Sequence, residues 1–191
     1  MKLNIILEGC DLSGKSMLAN KLVTDRGYIG HHFGKPFDGN AWWIQISKAF
    51  ELAKIGGHVF DREPCISNTI YRPIFHHPYS ISRRNLFKHL NKYPENTIIL
   101  WLNPSQLDIL KRFKERGDQY LNLDQIITAK DLYESLFYGY YRLAKLYQTP
   151  DVPQVIEVSR SDTCSEGLRL ERLYTDIVTT KEELDWEPKK Q

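Results

Sequence analysis

The chain has 191 residues, of which 41% are apolar and 26% are charged, and its net charge is +2. This balance is typical of a folded globular protein and argues against a disordered or fibrous chain. The length favours one domain with one core. Because the net charge is small, no overall positive field would attract a nucleic-acid polymer, so we predict no such partner.

The apolar runs in the sequence are short. The first run, within residues 1–8, is too short for a signal peptide, and no run elsewhere approaches the roughly 18 apolar residues that cross a membrane. We therefore expect a cytoplasmic protein without a membrane partner. Cys10, Cys65 and Cys164 are odd in number and lack metal-type spacing, so we predict reduced thiols.

Predicted strands and helices alternate along the chain. Short apolar runs predict strands at 2–8, 28–33, 58–60, 96–102 and 153–158. Apolar residues at steps of three and four predict helices at 16–23, 41–54, 82–92, 132–147 and 166–178, with another helix after Pro104. This order predicts an α/β fold in which helices flank both faces of a mostly parallel sheet of about five strands. We expect a single domain at 1–180 and a polar tail at 181–191.

A phosphate-binding motif follows the first predicted strand. Gly9, Gly14, Lys15 and Ser16 match the Walker A pattern Gly-x-x-x-x-Gly-Lys-Ser, with a strand before it and a helix after it. The glycines let backbone N–H groups surround phosphate oxygens at a helix N-terminus, where the helix dipole favours anions. Lys15 is placed to reach the β- and γ-phosphates, and the Ser16 hydroxyl to bind Mg²⁺.

The sequence therefore predicts binding of ATP together with Mg²⁺. The predicted ATP-binding residues are Gly9, Asp11, Leu12, Ser13, Gly14, Lys15, Ser16 and Met17.

The wider sequence narrows the class of protein. A GTPase needs a guanine-reading Asn-Lys-x-Asp segment, and the one Asn-Lys pair, Asn91-Lys92, lacks the aspartate. The chain is also short for a motor or transport ATPase, so its size favours a small kinase.

The loop and its preceding strand resemble those of the thymidylate kinases and related deoxynucleoside monophosphate kinases, including divergent phage forms. The shared features are Glu8-Gly9 followed by Asp11 inside the loop. The resemblance covers most of the chain and implies a P-loop kinase fold that transfers the γ-phosphoryl group of ATP to a deoxynucleoside monophosphate, with dTMP as the first candidate. It implies small-molecule nucleotide partners, allows a homodimer, and would place a phage-encoded member in the host cytoplasm.

The same resemblance implies an acceptor site. Asp11 would contact the 3′-hydroxyl of the acceptor sugar. Asp61-Arg62, at the end of a predicted strand, match the family's Asp-Arg, so Arg62 would bind the acceptor phosphate and Asp61 would support Mg²⁺. This chemistry is sound because a planar guanidinium binds two phosphate oxygens at once and a carboxylate can hold the metal. A helix-capping role for Asp11 and a structural ion pair for Arg62 are the alternatives.

Four further residues are acceptor-site candidates. Asn68 and Tyr71 resemble the family's Ser-Asn-x-x-Tyr, in which the Asn reads the base and the Tyr selects deoxyribose. The preceding segment is one residue longer than in the family, so helix packing is the alternative role. Lys35 would contact phosphate or base, and Trp43 or its neighbour Trp42 would stack on the base, unless these rings are buried in the core.

A basic segment resembles the family's lid, at about 111–122. Its cations fall on more than one helical face, which suits a segment that closes over phosphate, although a solvated basic face is the alternative. The loop contains no arginine between Cys10 and Ser13, so the cation that stabilises the transition state must come from elsewhere. Arg112 and Arg116 are the catalytic candidates, beside Lys15 and Arg62.

Two other functions stay open at this stage. A deoxynucleoside kinase would phosphorylate a 5′-hydroxyl and need a carboxylate to accept its proton, for which Glu63 is the candidate. A regulatory module would bind ATP without turnover. The sequence does not determine which base the acceptor carries.

Overall fold

Five parallel strands form the central sheet. They are β1 (Asn4–Glu8), β2 (Ile29–His32), β3 (His58–Asp61), β4 (Thr97–Asn103) and β5 (Gln154–Ser159), in the spatial order β2-β3-β1-β4-β5. Every residue of β1 and β3 is buried. Because successive side chains of a strand point to opposite faces, this burial shows that both faces of the sheet are covered.

The helices are α1 (Lys15–Arg26), α2 (Gly39–Ala53), α3 (Pro64–Ile74), α4 (Arg83–Leu90), α5 (Gln106–Arg116) and α6 (Leu123–Tyr147). The computed structural model describes residues 2–33, 39–76, 81–147 and 154–159. Lys35, the predicted helix at 166–178 and the predicted tail at 181–191 lie outside the described residues. Among the described helices, none has both the length and the apolar character needed to cross a bilayer.

The core joins the sheet to α3 and α6. Side chains from β1, β3 and β4 meet side chains from these two helices in one apolar cluster, which includes Ile6, Phe60, Ile99, Trp101, Ile66, Ile70, Tyr133 and Phe137. The polar side chain of Asn4 is also buried, and hydrogen bonds compensate for the loss of water. Its amide nitrogen donates to the Ala53 carbonyl at 2.6 Å, and its oxygen accepts from the His58 amide at 3.2 Å. The core thus fixes α3 and α6 against the strands that carry the site.

The topology determines where a ligand can bind. From β1 the chain crosses to β2 and β3 on one side, and it later returns to β4 on the other side of β1. In parallel α/β sheets the crevice beyond the carboxyl ends of the strands, where the winding changes direction, is the usual ligand site. The loop after β1 and the Asp61-Arg62 pair at the end of β3 lie at that edge.

The phosphate-binding loop, residues 9–16, needs glycine at both ends. Gly9 has φ of 145°, and a Cβ there would lie 2.4 Å from the Leu102 carbonyl oxygen. Gly14 is the N-cap of α1, with φ of 97°. Residues with a side chain rarely adopt these angles, so the two glycines set the path of the loop.

The described residues confirm the predicted fold class and all five strands, with ends that shift by one or two residues. Two helices differ from the sequence prediction. The periodic pattern gave no helix at Pro64–Ile74, because two prolines and several short polar residues obscure it. Pro64 instead occupies the first turn, where it is tolerated, and the Glu63 carboxylate caps the helix by accepting from the Ile66 amide at 2.8 Å.

The long helix starts at Leu123 rather than at 132. Asn122 and Gln125 cap it reciprocally, each side chain accepting from the other's backbone amide, at 2.9 and 3.0 Å. This arrangement has the geometry of a capping box.

Gly9→Ala should destabilise the chain by about 2–5 kcal/mol, because the added methyl meets a fixed carbonyl and the backbone angle becomes strained. The matched control is Gly139→Ala in α6, where the nearest atom to an added Cβ is 4.0 Å away. That control should gain about 0.5–1 kcal/mol from higher helix propensity. Urea unfolding of the three proteins measures both effects, and equal midpoints for Gly9→Ala and wild type would contradict the first.

Candidate active site

A cavity of about 520 Å³ lies beyond the carboxyl ends of β1 and β3. Its walls come from the phosphate-binding loop, the ends of β2 and β3, one face of α3, and residues 116–121. Most of the site residues predicted from the sequence line this cavity: Asp11, Leu12, Gly14, Lys15, Ser16, Met17, Asp61, Arg62, Asn68, Tyr71 and Arg116. The fold therefore brings together residues that are distant in the sequence.

Lys15 is the first residue of α1, and its ammonium group is turned into the loop. The Nζ atom donates to the carbonyls of Gly9 and Cys10, at 2.8 and 2.7 Å, and to the Ser13 hydroxyl at 3.1 Å. Burial, reinforced by the positive charge of Arg62, lowers the pKa of Lys15 to about 8. Phosphate oxygens would be stronger acceptors for this ammonium than the neutral carbonyls that it contacts here.

Ser16 and Asp61 form a pair suited to a magnesium ion. The Ser16 hydroxyl donates to Asp61 Oδ2 at 2.7 Å, and His32 Nδ1 lies 3.2 Å from the same oxygen. Asp61 Oδ1 is buried and has no hydrogen-bond partner among the described residues.

The charge state of Asp61 also suits a metal. Burial acts to raise the pKa of Asp61, but hydrogen bonds with His32 and Ser16 and the charge of Lys15 lower it overall, so the group is a carboxylate. A hydroxyl and an ionised carboxylate are oxygen ligands of the kind that Mg²⁺ prefers.

Arg62 occupies the centre of the predicted acceptor side. Its side chain is only 13% exposed, and its backbone has a φ of 81°, which is unusual for a residue with a side chain. Nη2 donates to Asp11 Oδ1 at 2.7 Å, and Nη1 donates to the hydroxyls of Tyr71 and Tyr133 at 2.9 and 3.3 Å. Tyr71 in turn donates to Asp11 Oδ2 at 2.7 Å.

Asp11 is held ionised by this arrangement. Burial acts to raise its pKa, but the charges of Arg62 and Lys15 and the hydrogen bonds from Tyr71 and Arg62 lower it overall. The structure thus brings Asp11, Arg62 and Tyr71 into one hydrogen-bonded group beside the cavity.

The network continues behind the cavity to a buried glutamate, Glu8. Tyr133 donates to Glu8 Oε2 at 2.8 Å, and Glu8 Oε1 accepts from the Glu63 amide. Burial raises the pKa of Glu8 to about 7, against the opposing charge of Arg62. No sequence motif pointed to Tyr133, and Glu8 entered the prediction only as part of the loop motif.

Two cavity-lining side chains of α3 each carry a polar atom that has no hydrogen-bond partner among the described residues. Ser67 Oγ and Asn68 Nδ2 are buried, line the cavity, and make no hydrogen bond within the described part of the chain. Buried polar groups are normally hydrogen-bonded, so these atoms are available to a ligand. Asn68 and Tyr71 are three residues apart and therefore share one helical face.

Glu63 is not among the residues that line the cavity. It is 1% exposed and caps α3, and its Oε1 atom also contacts His89 Nε2 at 3.1 Å and accepts from Tyr93 at 3.2 Å. Glu63, Cys65 and His89 place metal-binding atoms within 4.8 Å of one another. Hydrogen bonds already use both oxygens of Glu63, so we interpret this cluster as structural rather than as a metal site.

The lid prediction falls on two different structures. Residues 111–116 are the last turns of α5, and 117–122 form a loop in which Asp118 Oδ1 accepts from the amides of Tyr120 and Leu121 at 2.8 and 2.9 Å. Arg112 and Arg116 are four residues apart, so they lie on one face of α5. Arg112 donates to the Leu12 carbonyl, whereas Arg116 lines the cavity.

The remaining candidates lie elsewhere. Trp42 is buried and donates from Nε1 to the Pro64 carbonyl at 3.2 Å. Trp43 is 61% exposed and is not among the described residues that line the cavity. Gly9 and Ser13 shape the loop and contact Lys15 rather than the cavity. A ligand role for Trp43 stays a prediction that this arrangement does not support.

Solved structures resemble this fold, although no protein-family model matches the chain and no curated protein matches its sequence. The YorR protein of Bacillus subtilis, in complex with phosphorylated GDP, is 21% identical with a TM-score of 0.69, over 94% of this chain and 95% of that one. Deoxyadenosine kinase from M. mycoides, with bound dATP, is 16% identical with a TM-score of 0.57, over 92% and 100%.

Thymidylate kinase from Candida albicans is 15% identical with a TM-score of 0.54, over 94% of this chain and 92% of that one. At these identities the likeness establishes the fold. The chain has the α/β fold of the P-loop kinases.

The affinity for MgATP should fall about tenfold between pH 7 and pH 9. Lys15 has a pKa of about 8 in the free protein, so it is charged at pH 7 and mostly neutral at pH 9. Bound phosphates favour its charged form, so binding at high pH must take up a proton, and this weakens the affinity. Isothermal titration calorimetry at the two pH values measures the change.

Lys15→Arg is the matched control, because arginine keeps its charge across this pH range. Lys15→Arg should bind MgATP with the same affinity at pH 7 and pH 9, whatever the value of that affinity. Identical pH profiles for wild type and Lys15→Arg would contradict the assignment.

Proposed function

We propose that this chain is a kinase that transfers the γ-phosphoryl group of ATP to a deoxynucleoside monophosphate, with dTMP as the first acceptor to test. One observation carries the proposal. Lys15, in the phosphate-binding loop, and Arg62, at the end of the neighbouring strand, line the same cavity. A second buried cation beside a phosphate-binding loop favours an acceptor that is itself an anion.

Some of the similar structures support a nucleoside or nucleotide acceptor, although a shikimate kinase and a gluconokinase share the fold. The supporting structures include a thymidylate kinase, a deoxyadenosine kinase with bound dATP, and a protein in complex with phosphorylated GDP. Small-molecule nucleotides are therefore the proposed partners, and dTMP, dUMP, dGMP and modified pyrimidine nucleotides are the acceptors to compare.

In this proposal the site acts chiefly by aligning two anions. Lys15 and the loop amides hold the donor phosphates, and Ser16 and Asp61 would hold Mg²⁺. When bound, Mg²⁺ supplies positive charge that neutralises the donor phosphates. Arg62 binds the acceptor phosphate, and Asp11 turns toward the 3′-hydroxyl of the acceptor sugar.

The far end of the acceptor meets α3. Asn68 offers its unpartnered amide to the base, and Tyr71 crowds the 2′ position of the sugar. The attacking atom is a phosphate oxygen, so the reaction needs no general base from the protein.

A second candidate, a deoxynucleoside kinase, is favoured by one specific observation. Asp61 Oδ1 is an unpartnered carboxylate oxygen at the cavity, where it could accept the proton of a 5′-hydroxyl. Glu63, the base expected from the sequence for this function, is engaged in capping α3 and does not line the cavity. Asp61 therefore replaces Glu63 as the residue on which that alternative rests.

An ADP-release assay with ATP, Mg²⁺ and a panel of acceptors separates these functions. We expect turnover with a deoxynucleoside monophosphate and little with the matching nucleoside. Turnover with nucleosides alone would support the second candidate, and ATP binding without turnover on any acceptor would support a regulatory module.

Arg62→Ala should lower kcat/KM for the acceptor by roughly 100-fold, because the variant loses a charged phosphate contact. Its KM for ATP should stay close to that of wild type, whereas Lys15→Ala should abolish activity. The matched control is Arg83→Ala in α4, whose guanidinium contacts Ser135. An Arg62→Ala enzyme with wild-type acceptor kinetics would refute the acceptor assignment.

We propose Arg116 as the cation that reaches the transferring phosphoryl group, and Arg112 as a tether between α5 and the loop. Arg116→Ala should lower kcat by roughly 100-fold with little change in either KM. Arg112→Ala should mainly raise the KM for ATP, because the Leu12 carbonyl loses its donor. Steady-state kinetics of the two variants test these roles. If Arg112→Ala lowers kcat and Arg116→Ala raises the KM for ATP, the two assignments are the wrong way round.

A further inference from the structure

Two tyrosines hold Arg62, and each of them also contacts a carboxylate. Nη1 of Arg62 donates to Tyr71 at 2.9 Å and to Tyr133 at 3.3 Å. Tyr71 then donates to Asp11 at 2.7 Å, and Tyr133 donates to Glu8 at 2.8 Å. Tyr71 and Asp11 thus form one arm of the network around Arg62, and Tyr133 and Glu8 form the other, the Glu8 arm. The two arms have the same chemistry but different positions.

Only one arm is accessible to a ligand. Asp11 and Tyr71 line the cavity, whereas Tyr133 and Glu8 are 1% and 0% exposed and are not among its lining residues. A substrate that engages Asp11 would draw it away from Arg62. The Glu8 arm would keep its contacts, because no ligand in the cavity can reach it.

The direction of the hydrogen bonds explains why residue 8 must be an acceptor. A guanidinium only donates, so the Tyr133 oxygen must accept from Arg62 and its single proton must point elsewhere. Glu8 Oε2 takes that proton, and Glu8 Oε1 is fixed by the Glu63 amide. In its ionised form, which only accepts, Glu8 is therefore the group that keeps the Tyr133 lone pairs directed at Arg62. Because the pKa of Glu8 is about 7, this form predominates above neutral pH, and the measurements below are made at pH 8.

We propose that Glu8 and Tyr133 are positioning residues, which hold Arg62 in its phosphate-binding orientation from outside the cavity. This inference rests on the proposed role of Arg62 in binding the acceptor phosphate. Neither residue touches the substrate, and both act through the guanidinium.

Glu8→Gln is the sharpest test because it barely changes the shape of the side chain. Its oxygen would stay on the Glu63 amide, so its NH₂ group would face Tyr133. Tyr133 would then accept from residue 8 in place of donating to it, so its own proton would lose its acceptor and compete with the Arg62 N–H for the space between them. Tyr133→Phe removes the arm altogether.

Both variants should raise the acceptor KM roughly tenfold or more, which corresponds to the loss of a hydrogen bond to a charged group. The ATP KM should change by less than about twofold, because Lys15 is untouched. The double variant should be no worse than the more impaired single variant, since the two residues form one arm.

Tyr141→Phe is the matched control. It lies on the same helix and loses a hydroxyl that donates to the Val155 carbonyl at 2.8 Å, remote from Arg62. Its acceptor KM should equal that of wild type. If all three variants raise both KM values together, or if Glu8→Gln and Tyr133→Phe leave the acceptor KM unchanged, the inference is wrong.

A second readout needs no turnover. Nitrogen-15 NMR of the Arg62 guanidinium, assigned with Arg62→Lys, should show resolved Nη signals in the wild type because rotation is restricted. In Glu8→Gln these signals should exchange faster and broaden, because Asp11 and Tyr71 alone then restrict the rotation. Signals that are averaged in the wild type, or that are unchanged in Glu8→Gln, overturn the inference. If the wild type phosphorylates no acceptor, the proposed function fails, and the NMR result still decides whether Glu8 positions Arg62.

Discussion

The ion pair between Asp11 and Arg62 joins the phosphate-binding loop to the end of β3, and the acceptor side of the cavity is arranged around it. A guanidinium as buried as that of Arg62 is stable only when nearby groups compensate its charge. Asp11 supplies the direct counter-charge, two tyrosine hydroxyls accept from Nη1, and Glu8 adds a second carboxyl group behind them. An arriving phosphate therefore meets a cation whose position is already determined.

The sheet explains how this ion pair is possible. β1 and β3 are parallel neighbours in which Leu7 pairs with Asp61, so the residues that follow each strand emerge at the same edge. The loop after β1 supplies Asp11 and Lys15, and the turn after β3 supplies Arg62. α3 follows immediately, because Pro64 and the Glu63 cap start it there. Donor and acceptor sides are thus produced by adjacent strands.

Local patterns in the sequence predicted the strands, the fold class and the loop, because each depends on residues that are close together. The loop motif and the Asp61-Arg62 pair also predicted eight of the residues that line the cavity. Tyr133 could not be found in this way, since its contact with Glu8 joins residues that are distant in the chain and its spacing in α6 is that of a core residue. α3 was missed because Pro64, which normally ends a helix pattern, here begins one.

The backbone angle of Arg62 has a consequence for stability. A positive φ at a residue with a side chain costs about 1–3 kcal/mol, and glycine or asparagine would relieve much of it. The fold thus accepts strain at the position whose charge the cavity uses. Glycine at this position would relieve the strain, but it would also leave the Asp11 carboxylate without its counter-charge, a loss that offsets the relief. The backbone angle and the guanidinium charge thus place opposite demands on one residue.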